Sequence, residues 1–289
     1  TGGTVKDNWL GDFYSIGAIF GQEYANNVFS GGVVISNTSS ALFYNNTFSG
    51  RVRNTTFSGK VYSNTFSGDV YSNTFSGEVY SNTFSGVVSN STFSGVVSNS
   101  TFSGGVGNST FSGDVSNSTF NGSVNTSTFS GNVSNNTFSG VVSNSTFNGF
   151  VNTNTFSGVV SNSTFSGGVG NNTFSGDVYN NTFNGFVNSN NFSGEVNTST
   201  FSGNVNTSTF SGNVNTSTFS GVVSNSTFTY TGNLQYLTIT DILQSKTIDD
   251  VTYPFLFNTL YKKEILQASN SNNYIRYFNG LTDAITLII

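Results

Sequence analysis

Residues 57–84 read FSGKVYSNTFSGDVYSNTFSGEVYSNTF, so a phenylalanine recurs every nine residues. The same spacing runs from Phe48 to Phe228 without an insertion or deletion. Up to Phe219, Gly follows each Phe by two residues and Val follows it by four, and short polar residues fill the rest of the unit. A repeat of fixed period predicts a stacked architecture in which each unit contacts its neighbours.

Within a unit, the order of residues is typical of β-strands. Phe and the Val four residues later share one face of an extended chain, with Gly between them on that face. The Thr before Phe and the Ser after it then point to the opposite face. A helix would scatter these residues around its surface, and a Gly in every unit would weaken it. Because Asn, Ser and Thr between the strands are typical of turns, the repeat predicts an all-β chain.

Two architectures satisfy this pattern, a β-solenoid of parallel stacked coils and a long antiparallel meander. We favour the solenoid, because a single insertion would misalign every later coil and none occurs in the array. Nine residues are too few to close a coil, so we expect two units per coil, about 18 residues, with three units, about 27 residues, as the alternative. With two units per coil, the array forms about 10 coils and is roughly 48 Å long at a strand spacing of about 4.8 Å.

The inward residues are expected to form ladders along the solenoid, with Phe on Phe and Val on Val. Burial of each Phe contributes on the order of 2–3 kcal/mol, and identical rungs add these contributions without any long-range pairing. The predicted core ladder includes Phe57, Phe66, Phe75, Phe84, Phe138, Val61, Val70 and Val79.

The repeat divides the chain into three segments: 1–28, 29–228 and 229–289. Degenerate units precede the array, with Ala41, Phe43 and Thr47 in the Gly, Val and Thr slots after a one-residue slip. The two end segments either cap the solenoid or join it to another copy, because open sheet edges add further strands. The candidate assembly residues are Trp9, Ala284, Ile285, Thr286, Leu287, Ile288 and Ile289.

The composition argues against several functional classes. The chain has no His and no Cys, which removes the usual zinc ligands, thiol nucleophiles and Ser-His-Asp triads. Its net charge of −5 argues against nucleic-acid binding. The sequence contains no run of about 18 apolar residues, so it does not predict a membrane-spanning helix. We therefore expect no enzymatic activity, no cofactor and no metal site.

The residue three positions after Phe varies most. It is Arg51 or Lys60 in the first units, acidic in others (Asp69, Glu78, Asp114, Asp177 and Glu195), and Val, Gly, Asn or Phe in most of the rest. Such tolerance indicates a solvated surface rather than a catalytic row. Calcium-binding nonapeptides have the same period but need Asp in GGxGxD, whereas this chain has GGVGN. The apolar residues at this position suggest a lateral contact stripe, formed by Val87, Val96, Val141, Phe150, Val159, Phe186 and Val222.

Asparagine also falls in sequons of the form Asn-x-Ser/Thr. Either these residues accept glycans, or they recur because the turns need Asn, Ser and Thr. The candidate acceptors are Asn90, Asn99, Asn108 and Asn117.

The units F-S-G-x-V-x-N-[ST]-T over residues 48–228 resemble the repeat arrays of β-solenoid surface and fibre proteins, such as adhesin stalks and viral or environmental filaments. The resemblance implies an extracellular or cell-surface location and a structural role. We expect a secreted fibre subunit that polymerises head-to-tail through its ends. One alternative is an adhesin stalk with a C-terminal region that binds a glycan or surface receptor. The other is an ice-binding solenoid with outward Thr and Ser rows, which Phe150 and Phe186 are expected to interrupt.

Overall fold

A computed structural model describes residues 4–10, 23–31, 33–34, 38–230, 237–239, 243–248, 251–256 and 285–288. The described chain is all-β and forms a parallel β-solenoid of about 11 turns. Each regular coil contains two nine-residue units, since Thr65 pairs with Thr83 and Phe66 with Phe84. This confirms the solenoid and the shorter of the two predicted coil lengths. No described helix is long and apolar enough to cross a membrane.

Each coil contains four short strands, because Gly separates the Thr-Phe strand from the Val strand and the polar corner separates Val from the next Thr. Strands of successive coils pair side by side and in parallel, so the solenoid has four sheets, which we call A to D in chain order around the coil. The last strand of sheet B, Ile285–Ile288, is the one antiparallel member among the described strands of these sheets. Sheets A and C contain the Val strands, and sheets B and D contain the Phe strands.

Sheet A consists of Thr4–Lys6, Glu23–Ala25, Leu42–Tyr44, Val61–Tyr62, Val79–Tyr80, Val97–Ser98, Val115–Ser116, Val133–Ser134, Val151–Asn152, Val169–Gly170, Val187–Asn188, Val205–Asn206 and Val223–Ser224. Sheet B consists of Trp9–Leu10, Val28–Phe29, Thr47–Phe48, Thr65–Phe66, Thr83–Phe84, Thr101–Phe102, Thr119–Phe120, Thr137–Phe138, Thr155–Phe156, Thr173–Phe174, Asn191–Phe192, Thr209–Phe210, Thr227–Tyr230 and Ile285–Ile288.

Sheet C consists of Val33–Val34, Val52–Arg53, Val70–Tyr71, Val88–Ser89, Val106–Gly107, Val124–Asn125, Val142–Ser143, Val160–Ser161, Val178–Tyr179, Val196–Asn197 and Val214–Asn215. Sheet D consists of Thr38–Ser39, Thr56–Phe57, Thr74–Phe75, Thr92–Phe93, Thr110–Phe111, Thr128–Phe129, Thr146–Phe147, Thr164–Phe165, Thr182–Phe183, Thr200–Phe201, Ser217–Phe219 and Leu237–Ile239. A separate antiparallel hairpin joins Leu243–Ile248 to Val251–Leu256.

The stacked arrangement extends into segment 1–28. Thr4–Lys6 pairs with Glu23–Ala25, and Trp9–Leu10 pairs with Val28–Phe29. These early coils are one residue longer than the regular ones, since Tyr24 pairs with Phe43 whereas Phe43 pairs with Val61. The spacing shortens between Val34 and Thr38, where the nine-residue pattern also slips.

Two ladders of phenylalanine form the centre of the solenoid. Phe66 stacks on Phe84 with ring centroids 4.8 Å apart and an interplanar angle of 4°. It also meets Phe75 of the other ladder edge-on, at 6.1 Å and 88°. Both geometries are favourable for aromatic pairs. The Phe and Val side chains of the predicted ladder are all buried, with at most 1 % of their surface exposed.

The repeated glycines lie where successive coils come closest. A Cβ atom built on Gly122 would lie 2.3 Å from the carbonyl oxygen of Gly104 and 2.4 Å from its carbonyl carbon. The contact is with the backbone of the preceding coil, so Gly is needed for the close axial packing of successive coils. The degenerate unit follows the same rule, with Ala41 beneath Gly59.

A second pair of ladders, made of Asn, Ser and one Thr, is buried at the corners between Val and Phe strands. The Asn64 side-chain oxygen accepts the backbone N–H of Asn46 at 2.9 Å. Its amide nitrogen donates to the carbonyl oxygens of Tyr62 and Phe43. Among the described residues, every buried side-chain nitrogen or oxygen has a hydrogen-bond partner. The corners therefore satisfy backbone groups that the short strands leave unpaired.

Replacement of Phe138 by Ser tests the aromatic ladder. Phe138 stacks on Phe120 and Phe156 at 4.8 and 4.7 Å, so its loss leaves a cavity between two coils. We expect the free energy of unfolding to fall by about 3–5 kcal/mol. Denaturant titration measures this loss, and hydrogen exchange should place it in the coils around residue 138. The exposed Ser139→Ala is the control, and an unchanged midpoint for Phe138→Ser would contradict the ladder.

A matched pair of glycines tests the axial packing. Gly122→Ala places a methyl group against the backbone of Gly104, which cannot move without separating the coils. Gly105→Ala meets nothing closer than the Ser123 carbonyl oxygen at 3.6 Å. We expect Gly122→Ala to lower the melting temperature clearly and Gly105→Ala to leave it nearly unchanged. Equal effects of the two substitutions would show that close coil packing is not the reason for the repeated Gly.

Candidate functional surfaces

The variable residues of the repeat lie along two opposite edges of the rod, because residues two units apart are stacked. Edge DA lies between sheets D and A, and edge BC lies between sheets B and C. Edge DA contains Lys60, Glu78, Val96, Asp114, Asn132, Phe150, Gly168, Phe186, Asn204 and Val222. Edge BC contains Arg51, Asp69, Val87, Gly105, Ser123, Val141, Val159, Asp177, Glu195 and Asn213.

The charged residues on these edges bind to the next coil. Lys60 pairs with Glu78 at 2.8 Å and Arg51 pairs with Asp69 at 3.5 Å, both in exposed positions. Exposed pairs of this kind add little to stability. Among the described residues, no group of three or more His, Cys, Asp or Glu side chains is placed to hold a metal ion.

Aspartate and asparagine on the edges also perform a backbone role that the sequence did not reveal. The Asp114 carboxylate accepts the backbone N–H of Asn132 at 2.7 Å, and Asn132 accepts that of Phe150 at 3.1 Å. Asp177 does the same for Glu195 at 2.9 Å. Each of these side chains therefore satisfies the edge N–H of the following coil. The sequence contains no signal for this role, because the position also accepts Val, Gly and Phe.

The proposed lateral stripe of apolar residues is divided between the two edges. Val87, Val141 and Val159 lie on edge BC, whereas Val96, Phe150, Phe186 and Val222 lie on edge DA. The sequence pattern could not separate them, because consecutive units alternate between opposite sides of a two-unit coil.

A tyrosine stack lies on the outer face of sheet A near the start of the rod. Tyr44, Tyr62 and Tyr80 stack with centroids 5.0 and 4.9 Å apart. The Tyr44 hydroxyl donates a hydrogen bond to the Glu23 carboxylate, which Lys6 approaches at 3.5 Å. The hydrogen bond from Tyr44, together with the charge of Lys6, lowers the pKa of Glu23 below its ordinary value of 4.5.

The four candidate glycan acceptors lie at exposed corners. Asn90, Asn99, Asn108 and Asn117 have φ between 49° and 50°, in the left-handed region that Asn tolerates better than most residues. The residue after each is a buried Ser of the corner ladder. The left-handed backbone conformation thus accounts for the Asn of each turn, and hydrogen bonding at the buried corner accounts for the Ser that follows it. Glycosylation stays a prediction.

The outward Thr residues form columns on sheets B and D. On sheet D, Thr occurs in every strand from Thr56 to Thr218, whereas Asn191 interrupts the column on sheet B. Phe rings of neighbouring coils are 4.6–4.8 Å apart, so the Thr residues repeat at about one strand spacing. Phe150 and Phe186 lie on edge DA, beside the sheet D column, and do not interrupt it.

The candidate assembly residues that the structure describes lie at opposite ends of the rod. The Trp9 side chain is 77 % exposed, in the first strand of sheet B. Ile285–Ile288 pairs antiparallel with Thr227–Tyr230 and is the last strand of the same sheet. Ala284 and Ile289 lie outside the described residues.

Comparison with known proteins gives no assignment. The chain matches no protein-family profile, no curated protein and no solved structure at a significant level.

The Glu23 contact predicts a pH dependence at the start of the rod. Because the folded state lowers the pKa of Glu23, its stabilising contribution is present above about pH 4.5 and is lost as the pH falls further. After correction for intrinsic exchange, protection of the Asp7 amide, which donates to the Ala25 carbonyl, should fall in that range. Tyr44→Phe keeps the aromatic ring and should weaken the effect, so an unchanged pH profile would contradict the assignment.

Proposed function

We propose that this protein is a structural rod, a secreted subunit of an extracellular or surface fibre that assembles head-to-tail through its ends. The observation that supports this proposal is the continuity of the Phe ladders from Phe29 to Phe219. A regular stack of this kind provides length and stiffness, and each coil is stabilised by the coils next to it.

The surface of the regular coils suits a supporting role. The outward residues of the repeat are mainly Thr, Ser and Asn, and the charged ones, apart from Arg53 on sheet C, are spread along two opposite edges. About 11 turns at a strand spacing of about 4.8 Å give a rod roughly 50 Å long.

The direction of the hydrogen bonds supports head-to-tail assembly. In sheet A the Val61 N–H donates to the carbonyl oxygen of Glu78 in the following coil. In sheet B the Thr65 N–H donates to Asn46 in the preceding coil. A second copy stacked in the same direction therefore presents complementary edges, and contacts that do not close into a ring produce filaments. Ile285–Ile288 at the end of sheet B and Leu237–Ile239 at the end of sheet D would then have to leave their sheets or lie at the joint.

Electron microscopy of the purified chain at increasing concentration tests the proposal. Filaments of uniform width are expected, and Trp9→Ser and Leu287→Asp should shorten them by weakening opposite ends of the joint. Val96→Ser, on the side of the rod, is the control and should leave filament length unchanged. Discrete rods with a terminal knob at all concentrations would instead favour an adhesin stalk with a C-terminal binding region.

A second candidate function is ice binding, because the Thr column of sheet D is regular over its whole length. Ordered hydroxyl and methyl groups at a fixed spacing suit a crystalline surface. Thermal hysteresis measurements on Thr128→Leu together with Thr146→Leu test this idea, with Thr137→Leu and Thr155→Leu on sheet B as the matched control. No hysteresis from the unmodified chain would eliminate the candidate.

A further inference from the structure

Two copies of the segment FNGFVN interrupt the polar surface of the rod. They occupy positions 147–152 and 183–188, four units apart. Phe147 pairs with Phe165 and Phe165 pairs with Phe183, so the two copies lie on the same side of the rod with one coil between them. That intervening coil has Gly168 and Gly170 at the outward positions that Phe and Asn occupy in the copies.

The two outward Phe rings converge above the intervening coil. Phe150 and Phe186 have centroids 5.5 Å apart and planes tilted by 46°. A Cβ atom built on Gly168 would lie 2.6 Å from Phe150 Cε2 and 2.5 Å from Phe186 Cζ. The rings therefore occupy the space that the absent side chain leaves, and they remain 36 % and 49 % exposed. We call Phe150, Gly168 and Phe186 the aromatic pair site.

The same glycine-rich coil occurs elsewhere without the rings. The segment GGVGN begins at Gly104 and again at Gly167, and the first copy lies on the opposite edge. Val87 and Ser123 flank Gly105 there, and a Cβ atom on Gly105 would be 3.6 Å from the nearest atom. Gly105 thus tolerates a side chain, whereas Gly168 does not while the rings are in contact.

The surroundings of the aromatic pair site are polar and uncharged. Each FNGFVN copy adds two Asn residues, and the Asn152 side-chain oxygen accepts a hydrogen bond from Asn171 at 2.9 Å. The charged residues between positions 115 and 226 are Asp177 and Glu195, and both lie on edge BC, on the opposite side. The outer faces of sheets D and A next to the site contain Asn, Ser, Thr and Gly over several coils.

We infer that the aromatic pair site binds a neutral polysaccharide along the side of the rod. Exposed aromatic rings cover the apolar C–H face of a pyranose, and neighbouring amides both donate to and accept from sugar hydroxyls. An uncharged surface gives no attraction to an anionic polymer, so the expected ligand is neutral. The contact is lateral and far from the ends, so it does not depend on whether the rods polymerise.

Co-sedimentation of the full chain with microcrystalline cellulose, curdlan and chitin tests the inference, with alginate beads as the anionic comparison. We expect retention on at least one neutral polymer and much weaker retention on alginate. Phe150→Ser combined with Phe186→Ser should reduce the affinity at least tenfold. Ser occurs naturally at the equivalent position 123, so circular dichroism of this variant should match that of the parent.

The two glycines supply a further matched comparison. Gly168→Ser pushes the rings apart and should change the affinity severalfold, while Gly105→Ser on the opposite edge should bind like the parent. The inference is overturned by retention on none of the neutral polymers, by equal retention on alginate, or by full binding of the double Phe variant. Equal binding by Gly168→Ser and the parent would also overturn it. So would sedimentation velocity experiments in which loss of the two rings changes only the self-association of the chain.

Discussion

The distance between successive coils, about 4.7 Å, is the constraint on which the other features depend. At that spacing the backbones of neighbouring coils touch near Gly, as the 2.3 Å contact of a Cβ on Gly122 shows. The same spacing suits stacked aromatic rings, whose centroids lie 4.6–4.8 Å apart. It also lets a buried Asn such as Asn64 bond to the backbone of the preceding coil and to the Asn of the following one. One spacing therefore satisfies hydrogen bonds, apolar packing and polar ladders together.

The two halves of a coil are structurally equivalent. Each half contains a Phe strand, a glycine contact, a Val strand and a polar corner, and the two Phe ladders meet edge-on at 5.7–6.4 Å. This equivalence explains how GGVGN can occur at Gly104 and again seven units later at Gly167, an odd number of units, on opposite edges of the rod. A unit can thus occupy either side, provided that its length is preserved.

The outward positions have more freedom, and the chain uses them unevenly. Ion pairs such as Lys60–Glu78 and the tyrosine stack lie in the first coils. Later coils have few charges, and there Phe150 and Phe186 form the aromatic pair site. Differences in function along the rod are therefore expected at its edges and ends, because the interior is nearly the same in every coil.

The sequence by itself determined the all-β class and the identity of the inward Phe and Val, because periodicity and residue chemistry act within one unit. It favoured a coil of two units over three, and the pairing between coils decided between them. The tertiary structure alone decided which residues are neighbours between coils. It showed that Gly is needed at the axial contact between coils, buried Asn64 and its equivalents, and separated Val87 from Val96. It also brought Phe150 and Phe186 together over Gly168. These relations join residues two or four units apart, which become adjacent once the coil closes and stacks.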